Sequence, residues 1–133
     1  MGRLCGKSTK DVQADRLKIA QEVARDWNAH VVLKGFHTII AAPDGQVFVS
    51  TSGNPGLSKG GSGDVLTGFL TALTAQFGTN DWLRILSLGI YLHGKAAEIA
   101  TSGSDVSGLL SSELVDALPH ARRALLEELQ QGA

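Results

Sequence analysis

Gly60-Gly61-Ser62-Gly63-Asp64 joins residue types that can bind an anion to one that can remove a proton. The longer run Asn54-Pro55-Gly56-Leu57-Ser58-Lys59 leads into it. Val65-Leu66, Phe69-Leu70, Leu73 and Phe77 follow, so a loop feeds the N-terminus of a buried helix. Glycines let a backbone approach a ligand closely and turn its N–H groups toward it. The first turn of a helix carries unpaired N–H donors and a partial positive charge, which suits an anion. Asp64 falls where that anion would lie. Its carboxylate either caps the helix or acts as a base beside a phosphate, and the local pattern leaves both open.

The elements around it follow from patterning. Residues 9–28 carry Leu17, Ala20, Val23 or Ala24 and Trp27 at helical spacing, with Asp15, Arg16, Lys18, Glu22 and Arg25 between them. His30–Leu33 reads as a short strand of the kind buried in a parallel sheet. His37–Ala42 and Gln46–Thr51 flank Pro43-Asp44-Gly45 and should pair as a hairpin. A helix over 63–77 follows the glycines. Thr79-Asn80 reads as the cap of another over 81–101, apolar nearly all round. After a loop at 102–105, a helix over 107–118 meets Pro119, which either breaks it or starts a last helix over 119–130. These elements predict an α/β domain with its ligand site at the strand ends, beside the glycine loop.

Composition narrows the function. The chain has 133 residues, one domain's worth, and balances 12 Lys+Arg against 13 Asp+Glu, which gives no electrostatic case for nucleic acid. The single Cys5 rules out an internal disulfide and suits a reducing compartment. No apolar run is long enough to span a bilayer, so no membrane partner is expected and a cytoplasmic location is the default. Gly2-Arg3-Leu4-Cys5-Gly6-Lys7-Ser8 is one residue short of a P-loop and has no preceding strand. His30, His37 and His120 show no metal-site spacing, and His93 on the apolar helix reads as a hydrogen-bonded core residue. No metal-ligating set is expected.

The run Asn54 to Gly68, with Val32-Leu33-Lys34-Gly35 before it and Tyr91-Leu92-His93-Gly94 after it, closely resembles the ADP-dependent NAD(P)H-hydrate dehydratases of the ribokinase-like superfamily. The match runs from about Arg3 to Leu126. It implies the C-terminal half of a ribokinase-like three-layer fold: helix, short strand, β-hairpin, then buried helices. Residues 1–133 would be one partial, nucleotide-binding domain. By resemblance Lys34, Gly35 and Thr38 contact the nucleotide, as do Asn54 and the amides of Gly60, Gly61, Ser62 and Gly63. Asp64 matches the catalytic aspartate and would also touch substrate. The implied ligands are ADP or ATP, with Mg2+, and NAD(P)H hydrate. The implied reaction phosphorylates the ring hydroxyl and then eliminates phosphate. Leu57, Ser58 and Lys59 depart from the Met, Ala and Thr usual in the family. Lys59 either adds a cation near phosphate or points to solvent.

Family members are considerably longer, and their earlier half brings the rest of the sheet and much of the hydrate-binding wall. The expectation is therefore that this chain self-associates as a homo-oligomer or joins a complementary N-terminal half, and by itself has little or no activity. Two other readings use the same residues: a ribokinase-like small-molecule kinase, and a non-catalytic nucleotide-binding or assembly fragment.

Overall fold

A computed structural model describes residues 1–78 and 80–132, and the chain divides into two compact units. The first comprises Met1–Thr51 and Asp81–Ser87; the second comprises Ser52–Asn80 and Leu88–Ala133.

In the first unit, α1 (Gly2–Cys5) precedes α2 (Thr9–Ala14), which opens on a capping box between Ser8 and Asp11. The continuous helix expected over 9–28 is interrupted. Asp15 leaves helical geometry and its carboxylate accepts from the Lys18 amide, starting α3 (Arg16–Asp26). An aspartate at that position stabilises a new N-terminus better than a helix interior. Val12, Ile19, Ala20, Val23 and Ala24 form the buried face of these helices.

That face packs on β1 (Val31–Leu33) and β2 (Ile39–Ala41), through Val31, Leu33, Ile39 and Ala41. The parallel placement expected for the first strand is wrong. β1 pairs antiparallel with β2, Val31 opposite Ala41 and Leu33 opposite Ile39, because residues 34–38 are too few for a crossover. The expected hairpin is present: β3 (Val47–Val49) pairs antiparallel with β2 across Pro43-Asp44-Gly45. The three strands form one meander ordered β1-β2-β3. Gly45 takes φ +93°, and Asp44 accepts from the backbone and side-chain amides of Gln46, which hold its carboxyl below the usual range.

The second unit opens with a 3-10 turn over Pro55–Ser58 and continues into α4 (Ser62–Phe77). The next helix, α5 (Trp82–Ala100), begins in the first unit directly after Asp81, whose carboxylate accepts from the Arg84 amide. Of the expected cap, Thr79 lies outside the described residues and Asn80 is exposed. A 3-10 turn over Val106–Gly108 precedes α6 (Ser111–Gln131). This one helix replaces the two expected on either side of Pro119, which lies within it. The carbonyl deprived of a donor there belongs to exposed Val115, where water can serve it. Leu92, Ala96 and Ala97 of α5 cluster with Leu109 and with Leu114, Ala117 and Ala121 of α6, while Leu57, Val65 and Phe69 pack against them. Among the described residues no helix is long and apolar enough to cross a membrane.

Two glycines let α5 take close neighbours. A Cβ on Gly94 would lie 2.6 Å from the Ser52 carbonyl carbon and 2.8 Å from the Gly53 nitrogen; one on Gly89 would lie 3.0 Å from Leu73 Cδ1. Backbone cannot yield as a side-chain end does. Gly94→Ala is therefore expected to lower stability by about 3 kcal/mol in urea unfolding. A loss below about 1 kcal/mol would show that the Ser52–Gly53 segment is free to shift.

Candidate functional site

The glycine loop is bound through its carbonyls. Ser62, buried at the start of α4, shares its single hydroxyl proton between the carbonyls of Leu57 at 2.6 Å and Lys59 at 2.9 Å. Ser111 at the start of α6 donates to the Gly60 carbonyl at 3.1 Å. The Asp64 and Val65 amides donate to Gly61 at 3.1 and 3.0 Å. The Ser62 carbonyl can only accept, so buried His93 of α5 donates to it through Nε2–H, at 3.0 Å. Gly61 takes φ +88°, and a Cβ there would collide with the Ser111 hydroxyl. Glycine is required at that position.

The donors on the same residues are largely unengaged. Apart from the turn that Gly60–Gly61 make over the Lys59 carbonyl, the amides of Gly60, Gly61, Ser62 and Gly63 make no well-formed hydrogen bond among the described residues. The N-cap of α4 is Gly61, with no side-chain cap bond. Asp64, in the first turn, is exposed and its carboxylate takes no hydrogen bond or ion pair from a described residue. The capping role left open by the sequence is thus absent from this geometry. Lys59 is exposed, close enough to Asp105 to act on its carboxyl. That carboxyl is held below its usual value first by the Ser107 amide and hydroxyl, then by the Lys59 charge.

Asn54 is bound into the scaffold of the same unit. Its amide donates to the Thr101 hydroxyl at 2.8 Å and the Ala97 carbonyl at 3.3 Å, and its oxygen accepts from the Gly56 amide at 3.0 Å. The Gly53 amide donates to Glu98 at 2.7 Å, and the Ser52 hydroxyl to the Tyr91 carbonyl at 3.0 Å. One side of α5 therefore anchors the chain entering the glycine loop.

Lys34, Gly35 and Thr38 share one loop between β1 and β2 in the first unit. Lys34 is exposed with no ion pair to a described residue. Gly35 takes φ +148°, and the Thr38 hydroxyl donates to its carbonyl at 3.2 Å. The Arg16 guanidinium donates to the carbonyls of Leu33 at 3.1 Å and Phe36 at 2.5 Å. Phe36 is 86% exposed, its ring edge-on to His37.

Arg16, Glu98, Thr101 and Ser111 escaped the sequence reading. Each acts on residues far along the chain, and no local pattern marks them.

Glu98 also pairs with Lys95 at 3.2 Å and holds that ammonium above its ordinary 10.5. A raised lysine pKa stabilises the fold below the ordinary value, and the gain is lost as pH rises through the folded value. The pair's contribution should be constant near neutrality and fade only above pH 10.5. Its part-exposed groups limit it to below about 1 kcal/mol. Glu98→Gln should abolish that alkaline loss while keeping an acceptor for Gly53. Glu98→Ala should cost about 1 kcal/mol more than Glu98→Gln in urea unfolding at pH 7. Equal losses would show that the Gly53 bond contributes nothing.

The family of NAD(P)H-hydrate dehydratases matches residues 1–120. The bifunctional NAD(P)H-hydrate repair enzyme of Moorella thermoacetica is 43% identical over 98% of this chain, which spans 24% of that protein. The ADP/ATP-dependent NAD(P)H-hydrate dehydratase of Bacillus subtilis, co-crystallized with ATP and Mg2+, aligns with a TM-score of 0.87 at 35% identity, over 92% of this chain and 44% of its own. A ribokinase-like superfamily protein of Enterococcus faecalis aligns with a TM-score of 0.67 at 28% identity, over 77% of this chain and 35% of its own. The expected α/β class is the one found, as part of a ribokinase-like dehydratase domain. The chain belongs to the NAD(P)H-hydrate dehydratase family.

Proposed function

We propose that this chain is the nucleotide-binding and base-bearing part of an ADP- or ATP-dependent NAD(P)H-hydrate dehydratase. One observation carries the reading: among the described residues, the amides of Gly60 to Gly63 make no well-formed hydrogen bond and adjoin an exposed carboxylate, Asp64, that takes none either. The amides and the positive end of α4 stabilise the charge of a phosphoryl group in transfer. Asp64 removes the proton from the hydroxyl of the hydrated nicotinamide ring as its oxygen forms a bond to phosphorus. The bond from phosphorus to the departing nucleotide oxygen breaks in the same transfer. The ring carbon–oxygen bond then breaks, phosphate leaves, and loss of a proton from the adjacent carbon restores the double bond. This chemistry needs positioning and charge stabilisation more than covalent help. Lys34, Gly35 and Thr38 bind nucleotide oxygens, and Asn54 holds the entry to the loop.

Mg2+ belongs to the proposal as a companion of the phosphates. Among the described residues no three His, Cys, Asp or Glu side chains gather to hold a metal. The proposed ion is bound mainly by nucleotide and water. Relatives carry more than twice the aligned length, and the remaining hydrate-binding wall is assigned to a complementary half or a second copy. Half-exposed Phe48 and Val49 on β3 are consistent with such an association. A cytoplasmic location is proposed with it, on the free Cys5.

Asp64→Asn tests the reading. Phosphate release from NADH hydrate and ADP, with the complementary half supplied, should fall by about a thousandfold. Stability should change by less than about 1 kcal/mol. Unaltered turnover in that variant would remove Asp64 from the chemistry. Accumulation of a stable phosphorylated product would identify a kinase instead.

A further inference from the structure

We infer that Arg16 is a positioning residue for the nucleotide contact made by Lys34. The inference rests on the nucleotide-binding reading of that loop and extends it to a residue on another element.

Asp15 ends α2, so Arg16 opens α3 as its first residue. From there its side chain reaches the loop that follows β1. One guanidinium nitrogen takes the Leu33 carbonyl and another the Phe36 carbonyl, one on each side of Lys34-Gly35. Thr38 holds the Gly35 carbonyl between them. Three carbonyls in a four-residue stretch are therefore bound, which restricts rotation of the peptides on either side of Lys34. The planar fork of a guanidinium meets two acceptors at once, which a single ammonium on a flexible stem does poorly.

The fit at Gly35 is close. A Cβ there would lie 2.8 Å from an Arg16 nitrogen, the movable end of a long side chain, and the backbone takes φ +148°, a conformation that favours glycine whatever its neighbour. The arrangement also carries a cost. The Arg16 Nε–H is buried and finds no acceptor among the described residues. A buried donor without a partner destabilises a fold. The guanidinium is thus arranged around the loop's carbonyls at the expense of one of its own donors. Lys34 itself is exposed and has no ion pair to a described residue, its backbone held while its ammonium is available. A cation on a pre-ordered loop loses less entropy when it meets phosphate than one on a mobile loop.

Arg16→Lys in the full chain keeps the charge and removes the fork. By calorimetric titration, the Kd for ADP should rise about tenfold with little change in melting temperature. Lys34→Ala should weaken ADP binding in the native background and add little in the Arg16→Lys background. Full additivity of the two losses would overturn the proposal and leave Arg16 a structural residue. Should Arg16→Lys fail to fold, Arg16→Gln keeps a side-chain amide donor but removes the fork and should show the same loss of coupling to Lys34. If the native chain binds no ADP, the nucleotide reading fails by itself. Hydrogen exchange then decides the positioning. Arg16→Lys should speed exchange at residues 35–38 by about tenfold and leave residues 39–49 unchanged. Unchanged exchange at 35–38 would overturn it.

Discussion

A loop with most of its carbonyls already bound offers a ligand chiefly its amides. The carbonyls of Leu57, Lys59, Gly60, Gly61 and Ser62 each receive a donor, from Ser62, Ser111, the α4 backbone or His93. The amides of Gly60 to Gly63 make no well-formed hydrogen bond among the described residues. A helix N-terminus always has unpaired donors, but here neighbouring side chains also fix the peptides that precede it. A negative charge developing beside such amides would need no side-chain reorganisation, which is the condition for strong electrostatic stabilisation.

The clamping groups come from separate helices, so the loop depends on how α4, α5 and α6 pack. His93 and Gly94 are adjacent in α5: one donates to the loop, and the other lets Ser52–Gly53 approach. Glu98 and Thr101, further along α5, hold Gly53 and Asn54. The small residues Ala96, Ala97, Ala117 and Ala121 pack α5 with α6, which carries Ser111 against Gly60. Core packing and site geometry are one property of this unit, because the same helices supply both.

The parts legible in the sequence were those written in adjacent residues. Glycine density followed by an apolar helical period located the loop and α4, and Pro43-Asp44-Gly45 located the hairpin. The His93 reading as a hydrogen-bonded core residue agrees with its bond to Ser62. Errors arose where two neighbouring signals competed. Val31–Leu33 has the composition of a parallel strand, but the loop after it is too short for a crossover. Asp15 lies within a helical apolar period, yet its capping bond prevails over the period. Pro119 read as a break, yet α6 passes through it at an exposed turn. In the sequence Arg16 is one of several charges between the apolar positions of the helical period over 9–28. Only the folded chain brings it to Leu33 and Phe36.

The account stands on the amides following Lys59 being an anion site with Asp64 beside it. Titrating the isotopically labelled chain with ADP while following backbone N–H resonances reads those groups directly. Shifts of Gly60, Gly61, Ser62 and Gly63 that saturate together, with β3 unaffected, are the predicted result. Saturating shifts confined to other residues, with these four unmoved, would contradict it.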